Sequence, residues 1–127
     1  MRIFHALVFD TTIEGTTALY SDPQYNDPLG AADALSLFAV GDTASGTSPT
    51  LTAQMEESGD QVHWNAKAGT AEINAASLST SANTIAVGRD SGSTPSSGFV
   101  RLKVSLGGTS PKARIRLWAT GRGDKVQ

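Results

Sequence analysis

Cysteine is absent from the chain, which excludes a disulfide framework, a thiolate metal site and a cysteine nucleophile together. It leaves the compartment open. Histidine is confined to His5 and His63, so a Ser-His-Asp triad would have to use one of these, and neither lies near a Gly-x-Ser-x-Gly elbow. Charged residues make up 17% of the chain with a net charge of -2, a balance that argues against a general nucleic-acid binder. No apolar run approaches the roughly 18–20 residues of a membrane span. The segment from Met1 to Asp10 has a short apolar core interrupted by His5 and no small-residue cleavage site, so it does not read as a signal peptide. The expectation is a protein made in the cytosol, without a membrane partner. No glycine-rich fingerprint opens a helix and no P-loop occurs, so nucleotide binding is unsupported and no cofactor is expected.

What the chain does have is glycine, 13 residues of it, with many serines and threonines, a composition of short strands and polar turns. A length of 127 residues suits one domain with a real core, expected over residues 1–120 with a mobile tail at 121–127. Strands are expected at Ile3–Phe9, Leu35–Val40, Leu51–Glu56, Val62–Trp64, Ala71–Ala75 and Thr84–Arg89, the last with Ile85 and Val87 inward. Both alternate sets of Ile3–Phe9 are apolar, which fits a strand covered on both faces or packed at a subunit contact. Residues 11–34, rich in Asp-Pro turns, and the Gly/Ser/Thr segments at 41–49 and 90–97 read as loops. The rhythm predicts an all-β antiparallel sandwich, jelly-roll-like, of about seven to eight strands.

Strict alternation is most persistent from Gly98 to Ala119. Val100, Leu102, Val104 and Leu106 share one face with Arg101 and Lys103 on the other; after Gly107-Gly108-Thr109-Ser110-Pro111, Ala113, Ile115, Leu117 and Ala119 alternate with Lys112, Arg114, Arg116 and Trp118. The pattern predicts a hairpin with an oily face and a basic face. Its register would set Lys103 opposite Arg114 and Arg101 opposite Arg116, each pair costing roughly 0.2–1 kcal/mol unless a partner supplies acid. Arg101, Lys103, Lys112, Arg114 and Arg116 are therefore candidate interface residues toward an acidic protein surface, with nucleic acid the less favoured partner. Phe99 and Trp118 would pair beside them as an aromatic platform, the basis of an alternative reading as a carbohydrate- or surface-binding module.

Chemistry is otherwise thin. Glu56, Glu57 and Asp60 cluster at a strand end without a second wall of carboxylates, and are expected to meet the cations of the basic face. Asp22, Asp27 and Asp33 match no EF-hand spacing, so no metal is expected. Arg122-Gly123-Asp124 spells an integrin-read tripeptide that chance supplies often. No residue is assigned a catalytic role.

Ser48-Pro49-Thr50-Leu51-Thr52-Ala53-Gln54-Met55-Glu56-Glu57-Ser58-Gly59-Asp60-Gln61-Val62-His63-Trp64 resembles a strand–turn–strand pattern of small structural proteins of tailed bacteriophages, and Gly98 to Gly108 is similar in the same way. The resemblance implies a virion component, capsid or decoration subunit, that assembles symmetrically as a homo-oligomer, with another shell protein as a further partner. It brings no catalytic residues.

Overall fold

Two long strands, lying side by side and bent at the same level, carry the architecture. The computed structural model describes residues 2–22, 24–25, 34–66, 71–89 and 99–123. Its strands are β1 (Arg2–Glu14), β2 (Leu19–Tyr20), β3 (Gln24–Tyr25), β4 (Ala34–Ser58), β5 (Asn65–Ala66), β6 (Ile73–Ser77), β7 (Thr84–Arg89) and β8 (Phe99–Gly123), all joined in one sheet by antiparallel pairing. β4 and β8 pair from Ala34↔Arg122 to Ser58↔Phe99. On the far side of β8, β1 covers its C-terminal half, while β2 and β3 cover its N-terminal half. On the far side of β4, β7 covers the N-terminal half, while β6 and β5 cover the C-terminal half. The sheet thus has a first half in the order β1-β8-β4-β7 and a second half in which β2 and β3, then β8, β4, β6 and β5 lie side by side.

The halves meet at a corner built from left-handed backbone. Thr43, Gly46 and Ser48 on β4 have φ of 51°, 104° and 49°, and Gly108 and Ser110 on β8 have φ of 103° and 48°. The pairing register slips three times here, between Asp42 and Ser45, Ser45 and Thr47, and Thr47 and Thr50. Such bulges bend a strand and increase its twist. The bends sit against one another: a Cβ on Gly46 would lie 2.6 Å from the Ser110 carbonyl oxygen, and one on Gly108 would lie 2.6 Å from that of Ser48.

Folding at this corner lays the inner faces of the two halves together as a sandwich. Leu37, Ala39, Ile115, Leu117 and Ala119 come from the first half, and Leu51, Ala53, Met55, Val100, Leu102 and Val104 from the second; none is more than 2% exposed. One sheet face cannot hide its own side chains, so each half is the other's cover. Burying each of the larger side chains contributes about 1.5–3 kcal/mol.

The all-β antiparallel sandwich agrees with the sequence expectation, and the inward parity of Val100 to Leu106 and of Ala113 to Ala119 holds. The hairpin does not. Its two arms are consecutive parts of β8, each paired with β4, and Gly107 to Pro111 bends the strand out of plane instead of reversing it. β4 also offers what a hairpin could not: Glu56 opposite Arg101 and Asp42 opposite Arg114, where the hairpin would oppose cation to cation. The 41–49 loop is the matching bend of β4. Residues 11–14 extend β1 because Lys112 to Ile115 give them partners, and 121–123, expected in the tail, extend β8 against Arg2 to Phe4. Val62 to Trp64 precede the short strand β5 instead of forming one. Ile85 and Val87 point outward, 64% and 49% exposed, with Ala86 and Gly88 inward. A Cβ on Gly88 would meet the Glu72 carbonyl oxygen at 2.1 Å, so backbone fills the space a large side chain would need. No helix among the described residues is long and apolar enough to cross a membrane.

Candidate interaction surface

The corner sends the predicted basic face in two directions. Arg101 and Lys103 lie on the outer face of the second half, and Lys112, Arg114 and Arg116 on that of the first, so they do not form one patch. Most are also already matched. Arg101 Nε donates to Glu56 Oε1 at 2.8 Å, with both side chains largely buried, and its guanidinium is held between the rings of Tyr20 and Trp64, 4.1 Å from each centroid. Arg114 reaches Asp10 on β1, with Nη2 3.1 Å from Oδ1, and Arg116 reaches Asp42 on β4 at 3.3 Å. Lys103 lies between Gln54 and Tyr20, and Lys112 between Glu14 and Ser45. The expected meeting of Glu56 with a cation occurs within the fold.

Phe99 and Trp118 are likewise separated. Phe99 starts β8 opposite Ser58 and Tyr25 in the second half, whereas Trp118 sits in the first half between Leu7 and Phe38. The platform expected of them does not form, because a hairpin was needed to bring them together. Trp118 packs edge-on against Phe38, with ring centroids 6.0 Å apart, a favoured aromatic geometry.

Across the first half's outer face, perpendicular to the strands, runs the row Leu7, Trp118, Phe38, Val87. Leu7 is 49% exposed and Phe38 41%. The next row adds Val40 and Ile85 beside Arg116. On one side lie the Arg116–Asp42 and Arg114–Asp10 ion pairs, and on the other His5 in hydrogen-bond contact with Thr120, together with Ser36 and Arg89. A bulge between Leu7 and Phe9 adjusts β1 so that Val8 and Phe9 pack on the core while Leu7 stays outside.

The Ser58–His63 turn gathers the residue types of a hydrolytic triad in an order that cannot serve as one. Buried Ser58 donates from Oγ to Asp60 Oδ1 at 3.0 Å, and His63 Nδ1 lies 2.8 Å from Asp60 Oδ2, so the carboxylate stands between hydroxyl and imidazole. The His63 ring, followed by the His63 and Val62 amides, holds the Asp60 carboxyl well below the usual carboxylate range. Among the described residues no group of three or more histidines and acids could hold a metal ion; Asp27 and Asp33 lie outside them, as does Asp124 of the tripeptide. An open cleft of about 320 Å³ between the β1 bulge and β2 is lined by Leu7, Phe9, Tyr20, Ser21 and Asp22 among others, and the Ser21 hydroxyl in it accepts a hydrogen bond from the Leu102 amide.

Sequence reasoning missed the Tyr20–Arg101–Trp64 stack, which depends on pairing between distant strands, and the outward apolar row. The outward parity of Trp118 and the apolar residues in both alternate sets of Ile3–Phe9, which include Leu7, are the available signs of the latter.

No protein-family model matches the sequence, and no curated protein matches it. Among solved structures the chain is similar to one from the Gx strain of infectious bursal disease virus (TM-score 0.62, 12% identity, covering 98% of this chain and 32% of that one). It is similar to one from the Gt strain (TM-score 0.60, 17% identity, covering 98% and 34%). It is also similar to a mutant VP2 protein of the same virus in derived T=1 particles (TM-score 0.60, 15% identity, covering 96% and 32%). The chain therefore spans about a third of the length of these viral chains. At such identities the likeness establishes the fold alone, an antiparallel β-sandwich shared with these viral chains.

Proposed function

We propose that the protein is a virion structural subunit, a capsid or capsid-decoration protein that acts by symmetric self-assembly and not as an enzyme. One observation carries the reading: nearly the whole chain superposes on proteins of virus particles, at TM-scores of 0.57–0.62. The sequence resemblance to structural proteins of tailed bacteriophages points the same way, and a phage virion is the finer form of the proposal. Lys112 and Arg114, exposed on the first half, act as rim charges that set orientation toward neighbouring subunits or a shell protein. Arg101 and Arg116 serve chiefly inside the subunit.

Sedimentation velocity and negative-stain electron microscopy of the purified chain test this. A defined oligomer or closed particle is the expected result. A monomer at every concentration, with no association in the presence of particles, would overturn it.

A further inference from the structure

We infer that the outer face of the first half, centred on Trp118 and Phe38, is the surface on which a second copy of this chain docks. The inference rests on the virion-subunit reading, which supplies the reason for copies to meet. Leu7, Phe38, Val40, Ile85, Val87 and Trp118 form one continuous apolar patch across four adjacent strands. With Leu7 49%, Phe38 41%, Ile85 64% and Val87 49% exposed, it presents on the order of 400 Å² of apolar surface, the size of the largest patch on a typical monomer, which is often functional. A stable interface buries about 800 Å² on each partner, with an apolar centre and a polar rim. The patch accounts for the centre, and the Arg116–Asp42 and Arg114–Asp10 pairs with His5, Thr120 and Ser36 supply a rim. A rigid aromatic pair stands in the middle, where binding energy concentrates.

Charge selects the occupant. On this face Asp10, Glu14 and Asp42 stand against Arg89, Lys112, Arg114 and Arg116, with Arg114 and Arg116 already closed in ion pairs within the chain. A strongly acidic or basic partner gains little from a surface so nearly neutral. A second copy is as nearly neutral as the first, and a two-fold axis through the patch sets apolar row on apolar row.

The test compares the wild-type chain with Ile85→Lys, Val87→Lys and Leu7→Lys by sedimentation velocity over a wide concentration range, with circular dichroism as a check on folding. These positions are exposed and lie on both edge strands of the patch, so the three substitutions need not fail together. Val62→Lys, at a 72% exposed position in the turn before β5, is the control. The expected result is self-association weakened at least about tenfold, equal to about 1.4 kcal/mol, in the patch variants and unchanged in the control. Folded patch variants that assemble like wild type overturn the docking face and leave the virion reading standing. A wild-type chain that is monomeric throughout overturns the docking face, and if it also fails to associate with particles it overturns the virion reading too.

Discussion

Arg101 shows how one side chain can be recruited by the fold when its sequence neighbourhood suggests a contact with something else. Its charge is met by Glu56 and its planar group is covered by Tyr20 and Trp64, so the side chain is only 20% exposed and Glu56 only 12%. Removing one partner of a buried pair leaves the other charge uncompensated, and stacked cation–π contacts add to the loss. Arg101→Ala is therefore expected to lower unfolding free energy by about 2–4 kcal/mol. Arg114, whose pair with Asp10 is 47% and 42% exposed, should lose less than about 1 kcal/mol on the same change. Urea denaturation of the two variants measures the difference, and equal losses would show that the Arg101 cluster is only a surface pair. Asp60 gives a second residue-scale expectation. Its carboxyl titrates below its unfolded value near 3.9, so its contribution to stability is full above that value and is lost as pH falls below it. Wild type should lose melting temperature more steeply than Asp60→Asn between about pH 5 and pH 2; parallel curves would remove the role assigned to the turn.

At the scale of elements, the corner is the feature on which the sandwich depends. Gly108 combines a φ of 103° with backbone 2.6 Å from where a Cβ would sit. Left-handed backbone costs a side-chain-bearing residue about 1–2 kcal/mol, and the clash with the Ser48 carbonyl adds to it. Gly108→Ala should thus destabilise by about 2–3 kcal/mol, whereas Gly59→Ala, with nothing within 4 Å, should fall within about 0.5 kcal/mol of wild type. Thermal melts of the two variants separate a required bend from an incidental one. This corner also marks the limit of what the sequence discloses. Period-two patterning places Val100, Leu102, Val104, Ile115 and Leu117 in the core, since parity is a local property of a strand. Gly107 to Pro111 signals that the chain leaves its line, yet a reversal and an out-of-plane bend need the same glycines. Only the presence of β4 alongside decides between them, and that contact joins residues far apart in sequence. The interface candidates inherit the same ambiguity: their outward parity is legible, but which of them share a face is not. Ile85 and Val87 invert for a related reason, because the backbone of Glu72 that excludes them from the core arrives from outside their own segment.

For the molecule as a whole, β4 and β8 each run through both halves, so neither half has a strand set of its own. β1 pairs its Arg2 with Gly123, and the cores of the two halves are one buried cluster. Opening one half strips the cover from the other and breaks the same two strands at the corner, so a state with one half folded exposes apolar surface without regaining much chain entropy. Unfolding is therefore expected to be all-or-none. The tryptophans report on this directly, because Trp64 lies over the second half and Trp118 over the first. In Trp118→Phe the fluorescence follows the second half alone, and in Trp64→Phe it follows the first. Each variant's urea midpoint by fluorescence should coincide with its own midpoint by far-ultraviolet circular dichroism, even though Trp64→Phe also weakens the stack on Arg101 and shifts both midpoints together. A fluorescence transition that precedes the dichroism transition in one variant and trails it in the other would mean that the halves melt separately. The corner would then be a hinge between two units, and the shared strands would not make the sandwich a single cooperative body.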